Sequence, residues 1–238
     1  MTWILVFFPA LLAGLIQGLT GFGAVIIMMI FFPSILPMAQ AAGIGGVIML
    51  LSEISLVIHY HSEFKPKRVL SAFVVYAAVA TWSVHLGLVL DTHLLRLMLG
   101  VLLIALSLYF LFSKSAGDRR YPLYVALLFM IISGFFNGLF GIGGPLMALY
   151  FLSLSKSMPE YIANIQGFFL IDGFYITTVR VATGILNAHV VPYILLGIVG
   201  ATVGTIIASR LSTRWDLATV KPWIYRFIGL AGFYYLLF

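Results

Sequence analysis

The 238-residue chain contains no cysteine. That excludes disulfide frameworks, thiol catalysis and cysteine metal sites, although it identifies no compartment. Charge is scarce too: Asp, Glu, Lys and Arg make up 8% of the residues, against about 25% in an average soluble domain. No soluble stretch is long enough to form an extramembrane domain. GxSxG, HExxH and P-loop lysine motifs are all missing, so neither an enzyme nor a cofactor is expected. Without a nucleotide site, any transport is driven by a gradient or is passive. The N-terminus lacks a basic region ahead of its apolar run, so it does not read as a cleaved signal peptide.

What is abundant is apolar side chain, at 63% of the chain, with a mean hydropathy of +1.14. A soluble fold of this size has no interior large enough to hide so much, so the solvent is lipid. The expected fold class is an all-α polytopic membrane protein, multi-pass in the inner (plasma) membrane. The net charge of +6 would suggest nucleic acid in a soluble protein. Here the positions of the basic residues give a different account, and no nucleic acid is expected.

A glycine-rich decapeptide occurs twice. Gly14 to Gly23 reads GLIQGLTGFG and Gly134 to Gly143 reads GFFNGLFGIG, 120 positions later, half the length of the chain. Gln17 in the first is matched by the shorter amide Asn137 in the second. A duplicated, glycine-broken apolar segment at matching places in two halves points to a transporter binding site. The plainer reading is that these glycines let helices approach closely. Such glycines recur every fourth residue, a spacing that Gly18, Gly21 and Gly23 do not keep.

Spans of about 20 apolar residues are expected at 41–58, 69–89, 94–112, 161–183, 190–209 and 222–238. Residues 3–32 and 122–152 are each about 30 long and would run about 45 Å as straight helices, beyond a core of about 30 Å. Each is therefore expected to break at its glycines into a hairpin with arms of roughly 11 to 17 residues. Ten of the thirteen Lys and Arg fall in four linkers: Lys65, Lys67 and Arg68; Lys114, Arg119 and Arg120; Lys156; and Arg210, Arg214 and Lys221. Cytoplasmic loops collect such residues. The clusters share one side only if the broken segments return to the side they enter. Two halves of opposite orientation follow, residues 1–113 and 121–238, with both termini outside. Trp3, Trp215 and Trp223 fall near the expected interfaces, whereas Trp82 lies inside a span.

Chemistry is expected first at the hairpin tips. Amides at Thr20, Gly21, Phe22 and Gly23, and at Gly141, Ile142, Gly143 and Gly144, would begin the returning arms, and helix N-termini favour anions. Gln17, Thr20 and Asn137 would add side-chain donors, and Pro145 suits a first helical turn. Bare amides at membrane depth are tolerated where they line a cavity. Glu53 and Asp172, 119 apart in the second and sixth spans, are expensive in lipid and read as carriers of a coupling proton or as counter-charges to Arg180. Asn164 and Gln166 would extend a polar lining. Arg180 either draws an anion into an outward vestibule or snorkels to the interface. His59, His61 and Glu63 read as a solvated interfacial cluster rather than a metal site, and His85 and His189 have no visible partner.

The runs GLTGFG at 18–23 and GLFGIGGPLMALYF at 138–151, with eight hydrophobic elements in two halves, resemble the TauE/SafE sulfite exporter family, also called the 4-toluene sulfonate uptake permease family. The resemblance spans the whole chain. It implies transport, usually export, of small sulfur-containing anions such as sulfite, sulfoacetate or other organosulfonates. The expected partners are thus a small anion and the lipid bilayer, with assembly as a homodimer left open. An anion channel and a non-transporting membrane scaffold are the rival readings.

Overall fold

A computed structural model describes residues 2–20, 23–112, 121–211 and 217–237, and among these residues the fold is all α-helical. Ten helices follow one another: α1 (Thr2–Thr20), α2 (Ala24–Phe31), α3 (Met38–His59), α4 (Pro66–Val89), α5 (Thr92–Phe112), α6 (Leu123–Phe140), α7 (Gly144–Leu154), α8 (Met158–Ala182), α9 (Val191–Leu211) and α10 (Leu217–Leu237). Among the described residues six apolar segments are long enough to cross a membrane, in α3, α4, α5, α6, α8 and Ala188–Ala208. Each expected span has a helix. Large apolar side chains such as Phe8, Val74, Leu123, Leu195 and Leu230 face outward, as a lipid-solvated surface requires. Trp82 is one of them, 58% exposed with its ring beside Phe135.

Both glycine-rich segments break as expected, but not at their midpoints. The first gives arms of 19 and 8 residues, the second arms of 18 and 11. The position of the break follows backbone conformation rather than length. Gly23 has φ 93° and Gly141 φ 70°, a left-handed region that side chains with a Cβ seldom enter. At the second break the Gly141 amide donates to the Asn137 carbonyl and that of Ile142 to Phe136, closing α6 with a left-handed glycine cap. The chain then doubles back. A Cβ on Gly143 would lie 2.9 Å from Asn137 Cβ and 3.1 Å from the Ser133 carbonyl, one to two turns back along α6.

Helix pairing sets the directions of the elements. α1 packs on α9 and α6 on α4, each pair side by side with backbones nearly touching. Gly14 abuts the Ala201 carbonyl and Gly18 the Ala208 side chain, while Gly134 abuts Tyr76 and Gly138 abuts Ala80. Residue numbers rise together in both pairs, so each is parallel. These glycines are four apart and serve close approach, so the packing reading of the decapeptides holds for their first halves. α5 and α10 pair antiparallel, with Gly100 against Gly232 and Ser107 bonded to the Tyr225 carbonyl.

At one end of the bundle the start of α4 is tied to the α7–α8 junction. Arg68 Nη1 donates to Glu160 Oε1 (2.8 Å) and to the Leu154 carbonyl (3.1 Å). The Lys65 amide donates to Asn164 Oδ1 at 2.8 Å. Glu160 belongs to the capped start of α8, where the Ser157 hydroxyl accepts from its amide. α7 therefore ends where α4 begins. At the opposite end Tyr235, near the finish of α10, donates to the Met29 and Ile30 carbonyls of α2.

Candidate functional site

The two breaks meet. A Cβ on Gly141 would lie 3.1 Å from Val25 Cγ1, so the tip of the second hairpin touches the first turn of α2. Between them lies a cavity of about 90 Å³, several times the ~10–15 Å³ that one water requires. It has room for a small ion with a little water and not for a bulky ligand. α2 and α7 both start on this cavity, and neither N-terminus has a side-chain cap. The first-turn amides of a helix have no partner within it, and residues of both first turns, Ala24 to Ile26 and Gly144 to Pro145, line the cavity. Pro145 occupies the first turn of α7, as expected.

Most of the polar wall comes from α8 and the end of α6, with Gln17, Glu53 and Tyr76 added from α1, α3 and α4. Asn137 Nδ2 donates to both carboxylate oxygens of Asp172, at 3.2 and 2.9 Å, and Tyr76 Oη donates to Oδ2 at 3.3 Å. Arg180 is 2% exposed and its Nη2 donates to the carbonyls of Asn137 (3.0 Å) and Gly138 (3.1 Å). These carbonyls belong to the last turn of α6, where the helix dipole is negative and a guanidinium is favourable. Asn137 is thus gripped from two sides, its side chain by Asp172 and its carbonyl by Arg180.

Of the expected site residues, Gln17, Gly23, Glu53, Asn137, Gly141, Ile142, Gly143, Gly144, Gln166, Asp172 and Arg180 line this one cavity. Gly21 and Phe22 lie outside the described residues, as does the side chain of Thr20. Trp215, Lys114, Arg119, Arg120 and Arg214 lie outside them as well. One expectation needs correction, and one of two alternatives falls. Asn164 is buried away from the cavity, its side chain shared among the Lys65 amide and the Glu160 and Glu63 carbonyls. Asn164 lies two residues before Gln166, about 200° around α8 from the cavity-facing stripe, and so points to the neighbouring loop instead. Arg180 does not snorkel, because the carbonyls at the end of α6 hold it inside. His59 and His61 are exposed, and His61 Nδ1 lies 2.9 Å from the Ile58 carbonyl.

The sequence reading missed Tyr76. Its signal was a phenol in the middle of an apolar span, where a buried hydroxyl needs a partner. Also missed was a second, larger hollow of about 580 Å³. Its walls are the second half of α3 (Ile48 to Leu56), the start of α8 (Met158 to Gln166) and the second half of α9 (Ala201 to Ile206). Gln17, Met49 and Gln166 line both hollows and separate them.

Apolar spanning helices around a buried polar cavity between two broken helices define a polytopic membrane protein built to hold a small solute. Residues 6–235 match the family model described as Sulfite exporter TauE/SafE. The chain belongs to that family, and it is a membrane transporter of the exporter type rather than a member of an enzyme family. No curated protein and no solved structure matches it.

Proposed function

We propose that this protein is a secondary transporter that exports a small sulfur-containing anion, such as sulfite, sulfoacetate or another organosulfonate, by alternating access. The observation that carries the proposal is the pair of uncapped helix N-termini, α2 and α7, opening on one buried cavity. Partial positive charge and unpaired amides at both ends of a small site suit an oxyanion. The sulfur chemistry of the cargo is inferred from family membership.

Two inverted repeats, residues 1–113 and 121–238, would rock around this site. The directions of the helices support that division. α6 runs parallel to α4 and so starts at the end where α7 finishes, near Arg68. α1 runs parallel to α9, which descends toward that same end from the finish of α8, so α1 enters from the other one. The pairings α1–α9 and α6–α4 exchange under the 120-residue offset, as a two-fold relation requires.

Lys65, Arg68 and Lys156 gather at one end, which the positive-inside rule makes cytoplasmic. The larger hollow lies toward that end, between the finish of α3 and the start of α8. In this reading it is an inward vestibule leading to the central cavity, and both termini are outside. One of the intramembrane carboxyls carries a coupling proton.

Flux assays on purified protein in liposomes, with sulfite, sulfonates and carboxylates as a panel, test the proposal. Saturable flux with counterflow of labelled sulfite or sulfonate is expected. Unsaturable conductance would favour a channel, and absence of any anion flux would leave only a scaffold.

A further inference from the structure

The two halves differ in one place that bears on coupling. In the second half the amide–acid pair Asn137 and Asp172 is closed: the carboxylate receives two bonds from the amide and one from Tyr76. Arg180 holds the amide's own carbonyl. The matching residues of the first half are Gln17 and Glu53. There the pair is open. Glu53 Oε2 is shut off from solvent and meets no donor. It lies against α8, 3.3 Å from where a Cβ on Gly173 would be.

A second buried acceptor is also unmatched. Gln166 is 4% exposed, its Oε1 has no donor, and it borders both the central cavity and the larger hollow. Two acceptor oxygens without donors, buried beside one cavity, are an anomaly in a folded protein. The cost of an unmet acceptor rises further where the surroundings are apolar.

The other ionisable groups facing this place are Asp172 and Arg180 on α8 and Tyr76 on α4; α2 and α6 bring none to the cavity wall. Arg180 is committed to the end of α6. No positive charge is bonded to Glu53, and Gln166, which lines the central cavity with it, also lines the larger hollow.

We propose that Glu53, with Gln166 beside it, is the proton site of this transporter, and that Asp172 is a positioning residue that holds the tip of the second hairpin. A proton taken from water in the larger hollow adds to Glu53 Oε2 and makes the carboxyl neutral. Oε2 then no longer stands as a buried charged acceptor without a donor. It also removes a negative charge from the wall of the cavity that the anion enters. Proton and anion therefore bind cooperatively, and each raises the affinity for the other by the same factor.

This inference rests on the anion-transporter reading, and the test separates the two. Methanesulfonate, which stays ionised across the working range, is the binding probe beside sulfite, in detergent-purified protein and in liposomes. For wild type, affinity for the probe should rise on the order of 10-fold as pH falls across the titration of Glu53. E53Q should bind at every pH with no such rise, whereas D172N should keep the pH dependence while losing thermal stability. Infrared difference spectra should contain a protonated-carboxyl band in wild type and D172N that disappears in E53Q. A wild-type pH profile in E53Q, a flattened profile in D172N, or a sodium requirement with no pH effect would overturn the inference. If no anion binds or moves at all, the transporter reading fails. The infrared band then still decides whether Glu53 takes a proton.

Discussion

Gly144 is the place where a single methyl group interrogates the proposed anion site. It is the first residue of α7, it lines the cavity, and a Cβ there would find only Phe169 Cζ at 3.4 Å, an ordinary contact. Gly144→Ala should leave the folded protein intact and weaken anion affinity by narrowing the approach to the first-turn amides. Thermal unfolding and probe binding, measured side by side, check this. An unchanged affinity would remove α7 from the site. Asn137 asks the complementary question about structure. Asn137→Ala takes from Asp172 the donor at 2.9 and 3.2 Å and leaves Tyr76 alone at 3.3 Å. Stranding a buried acceptor costs about 1–3 kcal/mol, so a clear drop in unfolding temperature is expected in detergent. No drop would mean that the network does not hold the tip.

Between elements, the parallel crossings carry the architecture. Gly138 meets the Ala80 carbonyl and Gly14 the Ala201 carbonyl with no room between them. Leucine at either place forces its helix pair apart. Overfilling a packed interface costs about 1–3 kcal/mol and sometimes more, and here the backbones themselves must move. Gly138→Leu and Gly14→Leu are therefore expected to lower the yield of monodisperse protein, read by size-exclusion chromatography. Gly46, with nothing within 4 Å, should accept alanine and serves as the control. Were Gly138→Leu as well behaved as Gly46→Ala, the α4–α6 crossing described above would be wrong.

For the molecule as a whole, the lack of cysteine makes single-cysteine labelling clean. Ser62 lies beside the lysine-rich start of α4, and Ser34 and Ala188 lie at the opposite end; all three are exposed. In intact cells a membrane-impermeant maleimide should modify S34C and A188C and should reach S62C only after permeabilisation. Labelling of Ser34 and Ala188 from different sides would contradict the inverted arrangement. Labelling of all three in the reverse sense would keep the arrangement and turn the whole bundle over.

Composition and spacing alone determined the lipid solvent, the number of apolar helices and the breaks within the two glycine-rich segments. Each is a property of a local stretch of chain: its hydropathy, its length against the bilayer, and a glycine that can take a positive φ. The positions of Glu53, Asp172 and Arg180 were legible because an ionisable side chain in an apolar run is conspicuous by its cost. Their partners were not legible. That Arg180 grips the end of α6, that Asn164 turns to the α3–α4 loop, that Tyr76 reaches Asp172 and that Glu53 is left without a donor depend on contacts between residues 35 to 100 positions apart. Helix crossings decide such contacts, and the crossings follow from which small residues let which backbones approach. Only the tertiary structure brings those surfaces together.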